Sequence, residues 1–217
     1  MKQAIGLTEF IGMVPDGACL MIGGFMGVGA PLRLIDALVE SDRTGLTIIS
    51  NDTSWPDRGV GKLISARKVA KVITSHIGLN PETQRQMIDR EIEVELVPQG
   101  TLVECIRAGG FGLGGVLTKT GLGTPVEDDK QTVDIDGETF LLEKPLRADF
   151  ALIHAKSADY VGNLSYSLTA QNLNPVMAMA ADTVIVEAQE IVPVGMITPD
   201  AVKTPGVLVD HLLERAA

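Results

Sequence analysis

The chain has 217 residues, of which 45% are hydrophobic but only 4% are aromatic, so its core must be built mainly from aliphatic side chains. Its formal net charge of −10 argues against nucleic acid and anionic membrane surfaces as partners, because both are bound by basic faces. Glycine occurs 23 times, above the usual share of roughly 7%, which is typical of a fold with many tight turns.

The first predicted elements lead into a glycine-rich turn. Thr8 is predicted to cap a short helix that runs to about Val14. The turn pair Asp16-Gly17 and the apolar segment 19–22 then predict a buried strand, and Pro31 is predicted to occupy the first position of a helix. Between that strand and that helix lie Gly23, Gly24, Phe25, Met26, Gly27, Val28 and Gly29.

This turn is suited to a close approach between the backbone and a bound group. Glycine has no Cβ to keep a ligand away, and the helix behind the turn offers unpaired N–H groups at the positive end of its dipole. The group expected to bind here is an anion or a developing oxyanion. The alternative is a strand-to-helix connection whose glycines serve only tight packing. Gly24, Gly27 and Gly29 are spaced as G-x-x-G-x-G, so the dinucleotide fingerprint is absent.

Three more strand–helix pairs follow along the chain. Strands are predicted at 46–50, 69–74 and 92–97, and helices at 60–66, 81–90 and 99–110. Together with the first pair they predict an α/β fold, an open and largely parallel sheet with helices on both faces in three layers. In such sheets ligands bind beyond the carboxyl ends of the strands.

Polar groups at these strand ends are predicted to gather along one edge. They are Gly23-Gly24, Asn51, Ser75-His76 and Gln99. Taken alone, Asn51 is typical of an Asx-turn and Gln99 of a solvated residue at a helix start.

Residues 109–125 are predicted to be irregular. Gly110, Gly112 and Gly115 match G-x-G-x-x-G there, but they follow a helix rather than a strand, so they do not predict a dinucleotide site. Asp136-Gly137 lies between two alternating segments and predicts an antiparallel hairpin, a flap separate from the parallel sheet.

The rest of the chain is predicted to complete one domain over residues 1–217, because no linker divides it. Strands are predicted at 149–155 and 183–188, a short helix at 176–181, and an extended piece with a turn of helix at 205–213.

No metal site is predicted, because the three histidines share no ligand spacing and Cys19 and Cys105 lack metal-site or C-x-x-C spacing. Neither an apolar leader nor a run of about 18 apolar residues is found. We therefore expect a soluble cytoplasmic protein with buried free thiols and no membrane contact.

The first strand and turn also carry a longer pattern. Asp16-Gly17, five mostly apolar residues, Gly23-Gly24-Phe25 and Gly29-x-Pro31 follow in that order. This pattern resembles the first signature of the class I (3-oxoacid) coenzyme A transferases, and the resemblance covers nearly the whole chain. In particular, the chain resembles the alpha subunits of bacterial two-subunit members that act on acetate, butyrate and acetoacetate.

The resemblance implies that this chain supplies half of an active site. The family uses a glutamate carboxylate as nucleophile, which passes through an anhydride to a glutamyl-CoA thioester. That glutamate lies in a Ser-Glu-Asn-Gly motif of the beta subunit, and no serine of this chain is followed by glutamate. We therefore expect a beta-subunit partner, an alpha2beta2-type hetero-oligomer, coenzyme A and short-chain carboxylates as substrates, and no permanently bound cofactor.

The same resemblance implies roles for the residues at the strand ends. The turn from Gly23 to Gly29 is expected to bind coenzyme A or to form an oxyanion site. Asn51 and Gln99 are expected to line the acyl pocket. No residue of this chain is expected to be the nucleophile.

The residues alone leave another class of function open. A self-contained sugar-phosphate isomerase or a non-catalytic ligand-binding module could use the same architecture, since one fold hosts many functions. An independent isomerase would need its own acid–base pair at the strand ends, and no convincing pair can be assembled there.

Overall fold

The computed structural model describes residues 1–214 and forms a main sheet of nine strands and a smaller sheet of three. The strands are β1 (Gln3–Ile5), β2 (Cys19–Ile22), β3 (Leu46–Ser50), β4 (Val69–Thr74), β5 (Glu93–Leu96), β6 (Val116–Thr118), β7 (Thr132–Ile135), β8 (Glu138–Glu143), β9 (Ala148–Asp159), β10 (Leu164–Ser165), β11 (Ala181–Val192) and β12 (His211–Leu213). The α-helices are α1 (Leu7–Met13), α2 (Leu32–Glu40), α3 (Val60–Ser65), α4 (Pro81–Ile88), α5 (Gln99–Gly110) and α6 (Asn174–Met177).

The main sheet is parallel along its whole length. Its strand order is β1-β12-β11-β9-β2-β3-β4-β5, and every neighbouring pair in that row is parallel. Only the short strand β10 runs antiparallel, beside β9. The carboxyl ends of β2, β3, β4 and β5 therefore lie at the same edge, as predicted.

Helices cover both faces of this sheet. Successive strand residues point to opposite faces, so Leu20 belongs to one apolar cluster and its neighbour Met21 to the other. The first cluster includes buried residues of α1, α2 and α3, and the second includes those of α5 and α6. The predicted three-layer α/β fold is confirmed.

The small sheet is separate from the main one. Its strands are antiparallel and lie in the order β6-β8-β7. Asp136 and Gly137 both have positive φ, 51° and 80°, as required in the two-residue hairpin turn whose twist matches that of the flanking strands. The predicted flap is therefore confirmed. Its third strand, β6, was not predicted, because it lies inside the glycine-rich stretch 109–125 and carries no alternating pattern.

Two helix starts differ from the prediction. Thr8 does not cap α1: the N-cap residue is Gly6, two residues earlier than predicted, and the helix begins at Leu7. Pro31 directly precedes α2, as its N-cap, and is not the first helical residue.

The second half differs in more places. The predicted bounds of the short helix, 176–181, were wrong, because α6 runs from Asn174 to Met177 and β11 already starts at Ala181. Strands β1 and β10 were missed because they have only three and two residues. β1 pairs with β12 at the other end of the sequence, whereas β10 pairs with the preceding strand β9. Residues 215–217 of the predicted domain lie outside the described residues.

Strand β11 supplies a carboxylate to the start of α2. Oε2 of Glu187 accepts the backbone N–H groups of Arg33 at 2.8 Å and Leu34 at 3.2 Å. These N–H groups have no partner inside the helix, and an anion is favourable at its positive end. Burial raises the pKa of Glu187, and the two backbone hydrogen bonds offset this only in part.

Glu187→Gln should raise the melting temperature by an amount that grows with pH. The raised pKa means that the folded chain holds this proton more tightly than the unfolded chain. Stability is therefore lost as pH rises from the ordinary value of about 4.3 through the folded pKa. The amide keeps an acceptor oxygen for α2 but carries no charge. Thermal unfolding between pH 4 and 8 measures the effect.

Glu190→Gln, on the same strand, controls for the loss of one negative charge. A difference between Glu187→Gln and wild type that stays constant over this pH range would show that the capping carboxylate is not linked to stability in this way.

Candidate active site

A cavity of about 320 Å³ opens at the carboxyl edge of the main sheet. Asn51 follows β3, Ser75 and His76 follow β4, and Gln99 is the first residue of α5, after β5. The cavity is lined by Phe25, Met26, Asn51, Asp52, Ser75, His76, Leu79 and Gln99. The predicted gathering of Asn51, Ser75-His76 and Gln99 at one edge is confirmed.

The predicted glycine turn is a compact loop that projects over this edge. Phe25 and Val28 exchange two backbone hydrogen bonds, both of 2.9 Å, and Met26 between them has a positive φ of 49°. A non-glycine residue in this conformation is strained, so it needs support from its surroundings. Phe25 and Met26 line the cavity, whereas Gly23 and Gly24 line an adjacent cleft of only about 10 Å³.

The glycines of this loop are required by packing within the chain. A Cβ on Gly23 would lie 1.8 Å from Oδ1 of Asn174, and one on Gly24 would lie 2.9 Å from the Cβ of Ala30. A Cβ on Gly29 would lie 2.3 Å from the carbonyl oxygen of Ala170. The packing alternative raised by the sequence therefore accounts for these three glycines without a ligand.

Most backbone N–H groups of the loop are already used. Those of Gly23, Phe25, Met26 and Val28 donate to Leu152, Val28, Asp52 and Phe25. Within residues 1–214, the N–H groups of Gly24, Gly27 and Gly29 have no acceptor. Any donor function of the loop toward an anionic group therefore rests on these three amides.

Asp52 anchors the loop to the end of β3. Its Oδ2 accepts the Met26 N–H and the Asn51 side-chain amide, each at 2.9 Å. Its Oδ1 accepts the Ser54 N–H at 2.7 Å. The side chain is almost fully buried, and all three partners are donors, so both carboxylate oxygens act as acceptors. This contact supports Met26 in its strained conformation.

Asn51 and Gln99 meet directly, as two side-chain amides. Nε2 of Gln99 donates to Oδ1 of Asn51 at 2.6 Å. Asn51 is only 1% exposed, whereas Gln99 is exposed at the cavity. Gln99 is therefore the member that can reach a bound molecule, and Asn51 holds it from behind.

Asn174 clamps the loop from the second half of the chain. Its Nδ2 donates to the carbonyl oxygens of Gly29 and Ala170, both at 3.1 Å, and its Oδ1 accepts the His154 N–H at 3.0 Å. Neither Asn174 nor Asp52 was predicted from the sequence to be part of the site. Asp52 follows Asn51 directly at a strand end, and that position was the one available signal for it.

The other candidate groups do not join the cavity. In residues 1–214 no three His, Cys, Asp or Glu side chains are placed to hold a metal ion. Cys19 and Cys105 are free, and burial raises the pKa of each thiol to about 11, so both stay protonated near neutral pH. Cys105 is buried as expected, but Cys19 is only partly buried. None of the described helices combines the length and the apolar character that a membrane crossing needs.

Comparison with known proteins points to one family. Residues 6–215 match the family model described as Coenzyme A transferase. The chain is 55% identical over 207 residues to the acetate CoA-transferase subunit alpha of Escherichia coli K12, covering 95% of this chain and 94% of that one. It is 54% identical over 202 residues to the acetoacetyl-CoA:acetate/butyrate CoA transferase alpha subunit of Clostridium acetobutylicum, covering 93% of both.

Solved structures share the fold. An acyl-CoA transferase of Escherichia coli O157:H7, in a thioester complex with CoA, superposes with a TM-score of 0.87 at 24% identity. The match covers 99% of this chain but only 47% of that one, so this chain spans about half of that enzyme. Glutaconate coenzyme A-transferase of Acidaminococcus fermentans also gives a TM-score of 0.87, at 19% identity, over 97% of this chain and 75% of that one.

Gly24→Ala should lower the free energy of unfolding by roughly 1–3 kcal/mol, because φ at this position is 123° and the new Cβ would press on Ala30. Gly17→Ala is the matched control: Gly17 also has a positive φ, 74°, but nothing lies within 4 Å of an added Cβ. Denaturant unfolding of both variants measures the difference. Equal losses at the two positions would show that packing against Ala30 is not the constraint.

Proposed function

The chain belongs to the coenzyme A transferase family, and on that basis we propose that it is the alpha subunit of a two-subunit short-chain acyl coenzyme A transferase. The enzyme moves coenzyme A between an acyl-CoA, such as acetyl-CoA or butyryl-CoA, and a carboxylate such as acetoacetate. The observation that carries this proposal is the identity above 50%, over nearly the full length, with two alpha subunits named for these substrates. The alternatives, a self-contained isomerase or a binding module, find no support in these comparisons.

The nucleophile is proposed to lie on a beta subunit. A glutamate there attacks the acyl-CoA thioester, and an anhydride and then a glutamyl-CoA thioester form, which divides the exchange into easier steps. Two features of this chain support the assignment. No serine is followed by glutamate. Among the residues that line the cavity, Asp52 carries the one carboxylate, and its oxygens are occupied by three donors.

This chain is proposed to position the acyl group and to stabilise developing negative charge. Gln99 contacts the acyl group, because it is the exposed end of the amide pair, and Asn51 supports it. The loop from Gly23 to Gly29 faces coenzyme A and the reacting thioester. Its free amides at Gly24, Gly27 and Gly29 are the donors available for an oxyanion.

Coenzyme A enters this scheme as a substrate. We propose an alpha2beta2 assembly in the cytoplasm, and the free thiols of Cys19 and Cys105 support a reducing compartment. We also propose that residues 1–217 act as one domain, since strands from both halves of the chain share the main sheet.

The purified chain alone should show no acyl-exchange activity, and addition of a beta subunit carrying Ser-Glu-Asn-Gly should restore it. The reason is that the nucleophile is missing from this half of the site. The activity is measured as transfer of coenzyme A from acetoacetyl-CoA to acetate, and the loss of acetoacetyl-CoA absorbance reports this transfer. Robust turnover by the isolated chain would contradict the division of the site.

Gln99→Ala should lower kcat/KM of the assembled enzyme by roughly tenfold to a hundredfold, because a bound polar group loses its partner at about 1–3 kcal/mol. The loss should be larger for acetoacetate than for butyrate, since the 3-oxo group is an additional acceptor. Steady-state kinetics with paired substrates measure both effects.

Gln131→Ala is the matched control, because the same side chain is removed at an exposed position that does not line this cavity. Both complexes must be fully folded at the assay temperature. If Gln99→Ala keeps the wild-type kcat/KM for every substrate, Gln99 is only a solvated residue at the helix start and does not contact the acyl group.

A further inference from the structure

We infer that Asp52 is a positioning residue that sets the hydrogen-bond direction of the Asn51–Gln99 amide pair, and so decides which atoms Gln99 presents to the acyl cavity. This inference rests on the proposed role of that cavity. Asp52 itself acts through its two neighbours.

A side-chain amide can present its carbonyl oxygen or its NH₂ group in nearly the same volume. Its direction is fixed only when a neighbour can donate but not accept, or accept but not donate. A carboxylate is such a neighbour, because it has only acceptors. Asp52 is the member of this cluster with that property.

The direction set by Asp52 passes along the pair in two steps. Its Oδ2 lies 2.9 Å from Nδ2 of Asn51, so the amide nitrogen of Asn51 must face Asp52. Oδ1 of Asn51 then faces the other way and accepts from Nε2 of Gln99 at 2.6 Å. Gln99 keeps its carbonyl oxygen and one N–H for the cavity.

The hydrogen-bonded series Asp52–Asn51–Gln99 is called the relay below, and its buried end is held firmly. Asp52 and Asn51 are 6% and 1% exposed, and the Met26 and Ser54 N–H groups fix the carboxylate from the other side. Gln99 is the one exposed member of the three. All three residues line the cavity. The hydrogen-bond direction that Asp52 fixes in the interior therefore determines which atoms of Gln99 face the cavity.

Asp52→Asn would release this constraint. An amide at position 52 has one NH₂ group, and this group would meet the Ser54 N–H if it stood in place of Oδ1. With the NH₂ group in place of Oδ2, toward Asn51, the amide oxygen in place of Oδ1 still accepts the N–H groups of Ser54 at 2.7 Å and Met26 at 3.2 Å. Asn51 would then present its oxygen to position 52 and its NH₂ group to Gln99. The carbonyl of Gln99 would face Asn51, and both of its N–H groups would face the cavity.

The first test is a double-substitution cycle measured by thermal unfolding of the full chain. Gln99→Glu replaces the NH₂ group by an oxygen that faces Oδ1 of Asn51, so it should lower Tm by about 2–6 °C in the wild-type background. In the Asp52→Asn background the reversed pair accepts the carboxylate, and the loss should fall to less than half. No loss in the wild-type background, or an equal loss in both, would overturn the inference.

Two further variants separate the relay from simple repulsion between carboxylates. Asn51→Ala keeps the charge of Asp52 but removes the relay, so Gln99→Glu should cost little in that background; a full cost there would overturn the inference. This arm also stands if Asp52→Asn does not fold. Leu79→Glu adds a carboxylate to the same cavity without a contact to the pair, and its effect should not be relieved by Asp52→Asn.

The second test uses the assembled enzyme. Asp52→Asn should change the ratio of kcat/KM for acetoacetate and butyrate at least about threefold, because Gln99 offers different groups. In the Gln99→Ala background the ratio should not change, since no amide is left to turn. An equal reduction for both substrates would mean that Asp52 only stabilises the loop, and would overturn the inference.

The two tests separate this inference from the proposed function. The unfolding cycle needs no substrate and no partner subunit. An assembled enzyme without acyl exchange would therefore remove the proposed function, and the unfolding cycle would still decide the role of Asp52.

Discussion

The parallel pairing of β2 with β9 is the contact on which the rest of the structure depends. It joins the first half of the chain to the second through the register Leu20 with Phe150, Met21 with Ala151 and Ile22 with Leu152. The Gly23 N–H extends the ladder by one more bond, to the carbonyl oxygen of Leu152 at 3.0 Å. The glycine loop therefore starts at a fixed point, beside the end of β3, and it can meet Asp52 there.

The cavity follows from this arrangement because parallel strands end at the same edge. Each strand end contributes little alone, but together they place amides, a hydroxyl, an imidazole and a carboxylate around one space. Both oxygens of the carboxylate already accept from donors within the chain, which agrees with the proposal that the nucleophile lies on the beta subunit.

Local patterns in the sequence were sufficient for the longer strands of the main sheet and for the edge where the site lies, but they did not reveal the short strands β1, β6 and β10. They predicted β2, β3 and β4 at their observed bounds and placed Asn51 and Gln99 together, because strand ends follow from hydrophobic periodicity. They could not show which neighbours make the glycines necessary. A requirement for glycine is visible in a sequence, but Ala30 and Asn174, which fill the space, are identified only by the folded chain.

The roles of Asp52 and Asn174 were missed for a related reason. An aspartate after a strand is typical of a turn, and a single asparagine near a helix start is typical of a cap. Their actual partners, Met26 and Gly29, lie 26 and 145 positions away, and no periodicity connects them. Long-range contacts of single polar side chains leave no pattern in one sequence.

The clamp by Asn174 has a consequence for the order in which the chain can fold during synthesis. A nascent chain that has emerged only through β5 contains β2, the glycine loop and Asp52, but neither Leu152 nor Asn174. Domains are completed on the ribosome only when the segments that they need have been made. The loop at the start of the chain therefore acquires its final shape after β9 and α6 have left the exit tunnel, and a polypeptide released earlier lacks the contacts of Leu152 and Asn174 that hold the loop.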